Sequence, residues 1–141
     1  MVHLTRRYRF SAAHRLHSDA LSDEENYRVY GKCNSLYGHG HNYVLEITVA
    51  GPVDPATGMV MDLGVLDSLI DREVLERLDR THLNLDVDAF RNLVPTTENL
   101  CVEIYHRLRP KVEGSNGAGP VRLQRVRLEE TNSNVFEYEE L

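Results

Sequence analysis

The stretch Arg7-Tyr8-Arg9-Phe10-Ser11-Ala12 alternates polar with apolar residues and runs on into Ala13-His14. Successive side chains of an extended chain point to opposite faces, so this period of two predicts a half-buried strand ending near His14. Tyr43-Val44-Leu45-Glu46-Ile47-Thr48-Val49 repeats the alternation, with Tyr43, Leu45, Ile47 and Val49 on one side, and stops at Gly51-Pro52. It is the second strand. His39 and His41 stand at its entrance.

Working outward, Leu16 to Asn34 follows neither period and is acidic at Asp23-Glu24-Glu25, so it is expected to form a long functional loop. Beyond the Asp54-Pro55-Ala56-Thr57-Gly58 turn, Asp62 caps a helix through Arg80 with Leu66, Leu69, Ile70, Val74 and Leu78 inward. A second helix begins at Thr96-Thr97-Glu98, turns Leu100, Cys101, Ile104, Tyr105 and Leu108 inward, and is expected to stop at Pro110. Gly114-Ser115-Asn116-Gly117-Ala118-Gly119-Pro120 reads as a flexible connection to two further strands, Val121 to Leu128 and Val135 to Tyr138. The order ββααββ defines an α+β domain: four antiparallel strands with two helices on one face. Its sheet edges need covering, which favours an oligomer.

At 141 residues the chain has the length of a single domain, 1–141. With 41% hydrophobic and 27% charged residues it falls among soluble globular proteins. A net charge of −6, with 16 scattered Lys and Arg, argues against nucleic acid as a partner. No stretch approaches the roughly 20 apolar residues of a membrane span and the N-terminus has no signal-peptide core, so a cytoplasmic location is expected. Two cysteines, Cys33 and Cys101, are too sparse for a disulfide framework.

His39-Gly40-His41 places two imidazoles on one face of an extended segment, with a glycine between them that leaves room for a metal. Two histidines making ordinary hydrogen bonds would leave the same trace, so a third ligand is needed. If the first two strands pair as a hairpin, His14 arrives opposite this pair; His17 is the lesser candidate. Three neutral nitrogens with an open fourth position suit a catalytic zinc, because structural sites usually close with four ligands dominated by thiolate. Cys33, in Gly31-Lys32-Cys33-Asn34, has two readings: a reactive thiol beside a lysine, or a fourth ligand or buried thiol.

Phe10-Ser11-Ala12-Ala13-His14-Arg15-Leu16, Gly31-Lys32-Cys33-Asn34, Gly38-His39-Gly40-His41-Asn42-Tyr43, Gly58-Met59-Val60-Met61-Asp62, Thr96-Thr97-Glu98-Asn99 and Glu130-Thr131-Asn132-Ser133-Asn134 occur in this order. Together they resemble the 6-pyruvoyl-tetrahydropterin synthase and 6-carboxytetrahydropterin synthase family over nearly the whole chain. The resemblance implies the tunnelling fold, in which trimers close a β-barrel and two trimers stack into a homohexamer. It implies zinc on His14, His39 and His41, and Cys33 as the proton-transfer thiol. It also implies 7,8-dihydroneopterin triphosphate as substrate, converted to 6-pyruvoyl-tetrahydropterin with loss of triphosphate. Glu130 matches the family's pterin anchor, a carboxylate accepting two parallel hydrogen bonds from the guanidine-like ring edge; without the motif it would read as a solvated strand-end residue. Thr96, Thr97 and Glu98 match the segment lining the pocket, although Thr96 is also explained as a helix cap.

One position departs from the family. Its proton relay is an Asp-His pair in Leu-Asp-His, whereas this chain reads Leu78-Asp79-Arg80-Thr81-His82. A guanidinium keeps its proton at any working pH, so Arg80 cannot be the base. Either His82 takes that role beside Asp79, or Arg80 holds a phosphate or stabilises the Cys33 thiolate, or Arg80 faces solvent and activity is weak. The five residues between Cys33 and His39 resemble the pyruvoyl-forming branch; the carboxy-forming branch, which serves queuosine and deazapurine synthesis, acts on the same substrate.

Overall fold

The computed structural model describes residues 1–115 and 120–141. Strand β1 (Val2–His14) and strand β2 (His39–Gly51) pair antiparallel along their whole length, from Val2 opposite Gly51 to His14 opposite His39. The expected hairpin is present and longer than the alternation alone marks. Strand β4 (Arg122–Thr131) pairs antiparallel with β2, and β5 (Asn134–Tyr138) with β4.

A two-residue strand, β3 (Thr81–His82), adds an edge that the sequence pattern does not show. It lies parallel to β1 beside Ala12 and Ala13, so the sheet is mixed, in the order β3-β1-β2-β4-β5. Its register comes from two hydrogen bonds one step earlier: the Arg80 N–H donates to the Ser11 carbonyl, and the Ser11 N–H donates to the side-chain Oδ1 of Asp79. This clamp also explains why the first long helix ends before Arg80. It runs as α2 (Leu63–Ile70), a π-helical stretch Asp71–Leu75 and α3 (Glu76–Leu78), after which Asp79 is extended and Arg80 takes φ +60°.

The expected loop 16–34 contains α1 (Asp23–Tyr30) and a 3-10 turn, Gly31–Asn34. Ser22-Asp23-Glu24-Glu25 is a capping box, each end's side chain taking the other's backbone N–H, which nucleates a helix with no apolar stripe. Fully buried Asn26 ties it down by donating to the Ser18, Leu21 and Ser22 carbonyls. After β3 come α4 (Leu83–Asp86) and a 3-10 turn, Asp88–Phe90.

Helix α5 (Thr97–Glu113) is capped by Thr96 as expected, but continues past Pro110. Packing overrides the proline here: Val112 is fully buried, and Glu113 accepts from the Leu123 N–H of β4. The flexible connection expected after it falls largely on residues 116–119, outside those described.

The core lies between one sheet face and the helices. Leu45, Ile47 and Val49 of β2 meet Leu66, Ile70 and Val74 from one helix and Leu100, Ile104 and Leu108 from the other, all sealed from solvent. Cys101 belongs to this layer, as its helical position predicts, and burial pushes its thiol up to about 12. The opposite sheet face is polar: Glu46 pairs with Arg7 and Arg127, and Thr5 shares a hydroxyl hydrogen bond with Thr48.

Removing packed methyl groups leaves a cavity, so Ile47→Ala is expected to lower unfolding free energy by about 2–5 kcal/mol. Arg7→Ala, which leaves Glu46 paired with Arg127, should cost under about 1 kcal/mol. Urea titrations of the two variants check the contrast.

Candidate functional site

The β1/β2 register builds the centre of the site. Ala12 faces His41 and His14 faces His39 across the ladder, so alternation sends all three imidazoles to the helix-covered side at the end of the sheet. Their ring centroids lie 4.6 Å (His14–His39), 5.1 Å (His14–His41) and 4.8 Å (His39–His41) apart, each pair edge to face. One nitrogen from each lies within 4.8 Å of the others, the spacing of donors around a single ion.

The protonation pattern fits a cation. Nδ1 of buried His14 lies 2.8 Å from the Pro95 carbonyl and so carries the proton, leaving Nε2 as a lone-pair donor 3.0 Å from His39 Nε2. Among the described residues, Nε2 of His41 is sealed from solvent without a hydrogen-bond partner. Burial pushes His14 down to about 4, and burial followed by the charge of His41 lowers His39, so both hold the neutral, ligating form at pH 7. An orphaned buried nitrogen beside two neutral imidazoles is the environment that a metal ion satisfies.

Glycine matters here at one place, and it is not Gly40. A side chain at Gly40 would meet only the Ala12 carbonyl at 3.8 Å, because alternation puts residue 40 on the other sheet face; the room expected from it is not needed. Gly38 is the constrained position: at φ +77°, a Cβ there would come within 2.6 Å of the His14 carbonyl oxygen.

Thr97, on the first turn of α5, donates a hydrogen bond to Glu130 Oε2. The same oxygen lies 3.9 Å from His41 Nε2, so Glu130 borders the imidazole cluster. Thr96 spends its hydroxyl on capping, accepting from the Asn99 N–H, and Glu98 is exposed on the first turn.

Cys33 is half-buried in the 3-10 turn, and its carbonyl accepts from the Leu16 N–H, two residues beyond His14. Among the described residues the metal-sized cluster consists of His14, His39 and His41, without the Cys33 thiol. Asp79 is held at the Ser11 clamp, and Arg80 lines a cleft of about 440 Å³ with Arg9, Ser11 and Asn42, residues of the polar sheet face. His82 lines both a cleft of about 550 Å³ that it shares with His41, Arg80 and Asp86 and one of about 700 Å³ lined by Arg15, His17, Tyr37 and Pro95. Among the described residues its Nδ1 is enclosed without a partner, and its backbone N–H donates to Asp86 Oδ2.

Two features went unread in the sequence. The Pro95 carbonyl orients His14, and no residue type signals a backbone acceptor. Among the described residues the Tyr43 hydroxyl is buried without a hydrogen-bond partner, and burial, then the charge of Glu130, raises the phenol's pKa. Its place in the alternation marks Tyr43 only as core.

Fold and site together define an α+β protein with three imidazoles able to hold a metal ion beside a carboxylate. Residues 3–141 match the family described as 6-pyruvoyl tetrahydropterin synthase. The chain is 47% identical over 135 residues to the 6-pyruvoyl tetrahydrobiopterin synthase of Drosophila melanogaster, covering 96% of this chain and 77% of that one. It is 30% identical over 129 residues to the 6-carboxy-5,6,7,8-tetrahydropterin synthase of Rickettsia bellii (strain RML369-C), covering 79% and 83%. The structure of Caenorhabditis elegans 6-pyruvoyl tetrahydropterin synthase superposes with a TM-score of 0.89 at 42% identity, covering 99% of this chain and 96% of that one. The chain belongs to the 6-pyruvoyl tetrahydropterin synthase family, and its fold is the tunnelling fold that the motifs imply.

The protein dialysed against zinc is expected to retain one equivalent per chain by elemental analysis. His14→Ala and His41→Ala should each lose it, while His17→Ala keeps it.

Proposed function

We propose that this chain is a zinc-dependent carbon–oxygen lyase that converts 7,8-dihydroneopterin triphosphate to 6-pyruvoyl-tetrahydropterin with elimination of triphosphate. The observation that carries the reading is the convergence of His14, His39 and His41 beside Glu130, whose Oε2 lies 3.9 Å from His41 Nε2. The name of the Drosophila relative supports it.

Each residue then has a task. His14, His39 and His41 hold zinc, which when bound supplies Lewis acidity toward the oxygens of the substrate side chain. Glu130 anchors the pterin by accepting two parallel N–H bonds from its guanidine-like edge, with Thr97 steadying one carboxylate oxygen. Thr96 and Glu98 line the approach from the start of α5. Cys33 moves protons between the side-chain carbons, and Asp79 with His82 relays them. The enclosed, partnerless Nδ1 of His82 supports that choice over Arg80, whose guanidinium cannot accept a proton.

The reading takes 1–141 as one domain of a cytoplasmic homohexamer, a dimer of trimers. Open edges at β3 and β5 support assembly, since barrel closure pairs exposed strands. The name of the Rickettsia relative supports a second product, the 6-carboxy compound of queuosine synthesis, from the same substrate.

Incubating zinc-loaded protein with dihydroneopterin triphosphate and identifying products by mass spectrometry tests the proposal. The pyruvoyl compound and free triphosphate are expected; the carboxy compound moves the chain to the other branch, and neither product overturns the reading. Cys33→Ala should lower turnover by about 10²–10⁴-fold with zinc retained. Arg80→His should leave turnover within a few-fold of the starting protein, whereas His82→Ala lowers it steeply.

A further inference from the structure

Cys33 rides on the four-residue 3-10 turn Gly31–Asn34, a structure whose own hydrogen bonds are too poorly aligned to hold a side chain in one place. What fixes it comes from elsewhere. Among the described residues, every hydrogen bond from this turn to a distant part of the chain ends on residues 15–17, the stretch that follows His14. The Leu16 N–H donates to the Cys33 carbonyl at 2.9 Å, and Arg15 Nε donates to the Asn34 carbonyl at 3.0 Å. Asn34 answers through its side chain: Nδ2 donates to the Leu16 carbonyl at 2.8 Å and lies 3.1 Å from His17 Nδ1.

The amide orientation follows from its partners. A carbonyl only accepts, so the NH2 end of Asn34 must face Leu16, and its two protons have two acceptors. His17 then carries its proton on Nε2, which lies 3.6 Å from Asp19 Oδ1. On the other side Asn84 brackets Arg15: the Arg15 N–H donates to Asn84 Oδ1 at 2.8 Å, and Asn84 Nδ2 donates to the Arg15 carbonyl at 2.9 Å. The exit of β1 is therefore gripped by two asparagines immediately after a residue of the imidazole cluster. The bonds to the carbonyls of residues 33 and 34 form whatever side chain stands at 34. They dock the turn, and the Asn34 amide keeps it from rocking on them.

We propose that Asn34 is a positioning residue: its amide, held on Leu16 and His17, locks the turn so that the Cys33 thiol keeps one place relative to His14. The inference rests on the reading of Cys33 as the proton-transfer thiol. Placement of such a group governs the rate of the proton transfer and leaves the strength of substrate binding largely alone.

Zinc-loaded Asn34→Ala is expected to turn over dihydroneopterin triphosphate, to whichever product, with kcat roughly tenfold to 10²-fold lower, KM within about twofold, and zinc content unchanged. A second readout needs no substrate. Cys101 is sealed in the core with its thiol pushed up to about 12, so iodoacetamide labels Cys33 alone in folded protein. Alkylation is expected to be several-fold faster in Asn34→Ala, because the turn is looser. Asn34→Asp, which keeps the shape but sets acceptors against acceptors, should match Asn34→Ala in both measurements. Unchanged kcat, unchanged alkylation, or a fall in kcat with a matching rise in KM overturns this inference alone. Labelling of Cys101 or loss of zinc in both variants does the same, since Asn34 would then serve the fold. Full turnover by Cys33→Ala, or no product from the unsubstituted protein, removes the inference together with the reading beneath it.

Discussion

The register between β1 and β2 is the constraint on which the rest depends. With His14 opposite His39, the period of two puts three imidazoles on one face and at one level of the sheet. A slip of one residue would send His14 to the polar face and turn the apolar residues of β1 away from the helices. The thirteen-residue ladder therefore specifies core and metal-sized site in one act, and burial of Leu45, Ile47 and Val49 enforces it energetically.

Around this ladder the sheet is asymmetric. Its helix-covered face is dry, while the other face carries the Arg7–Glu46–Arg127 pairs and the cleft that Arg80 lines with Arg9, Ser11 and Asn42. The imidazoles and Glu130 occupy the margin of the dry side, where burial keeps His14 and His39 neutral. Asp79 and Arg80 sit at the β1 edge, and Arg80 shares one cleft with His41, so this edge borders the imidazole cluster. A positive φ at Arg80, held by the Ser11 clamp, marks that edge as a shaped feature.

The parts legible in the sequence have strict periods. Alternation marked β1 and β2, turn signals set off β4 and β5, three- and four-residue steps marked the inward faces of α2 and α5, and side-chain caps at Asp62 and Thr96 marked their starts. The less legible parts depend on distant contacts: β3 exists because Ser11 offers a free backbone edge, and α5 passes Pro110 because Val112 has a core to enter. The α1 capping box at Ser22 was available to a reader of the sequence, but a short helix without an apolar stripe is masked by its acidity. The site followed the same division. The imidazoles declared themselves by spacing and Glu130 by its motif, while the Pro95 carbonyl and the buried Tyr43 hydroxyl needed coordinates.

The contact between His14 and Pro95 reaches further than the orientation of one ring. Pro95 lies two residues before Thr97, so a single short segment touches an imidazole of the cluster through its carbonyl and the Glu130 carboxylate through its hydroxyl. Displacing that segment disturbs both halves of the site together. Thermodynamic reciprocity then applies: whatever factor a cation adds to the affinity for an organic ligand, the ligand returns to the cation, with the backbone of residues 95–97 as the mechanical coupling.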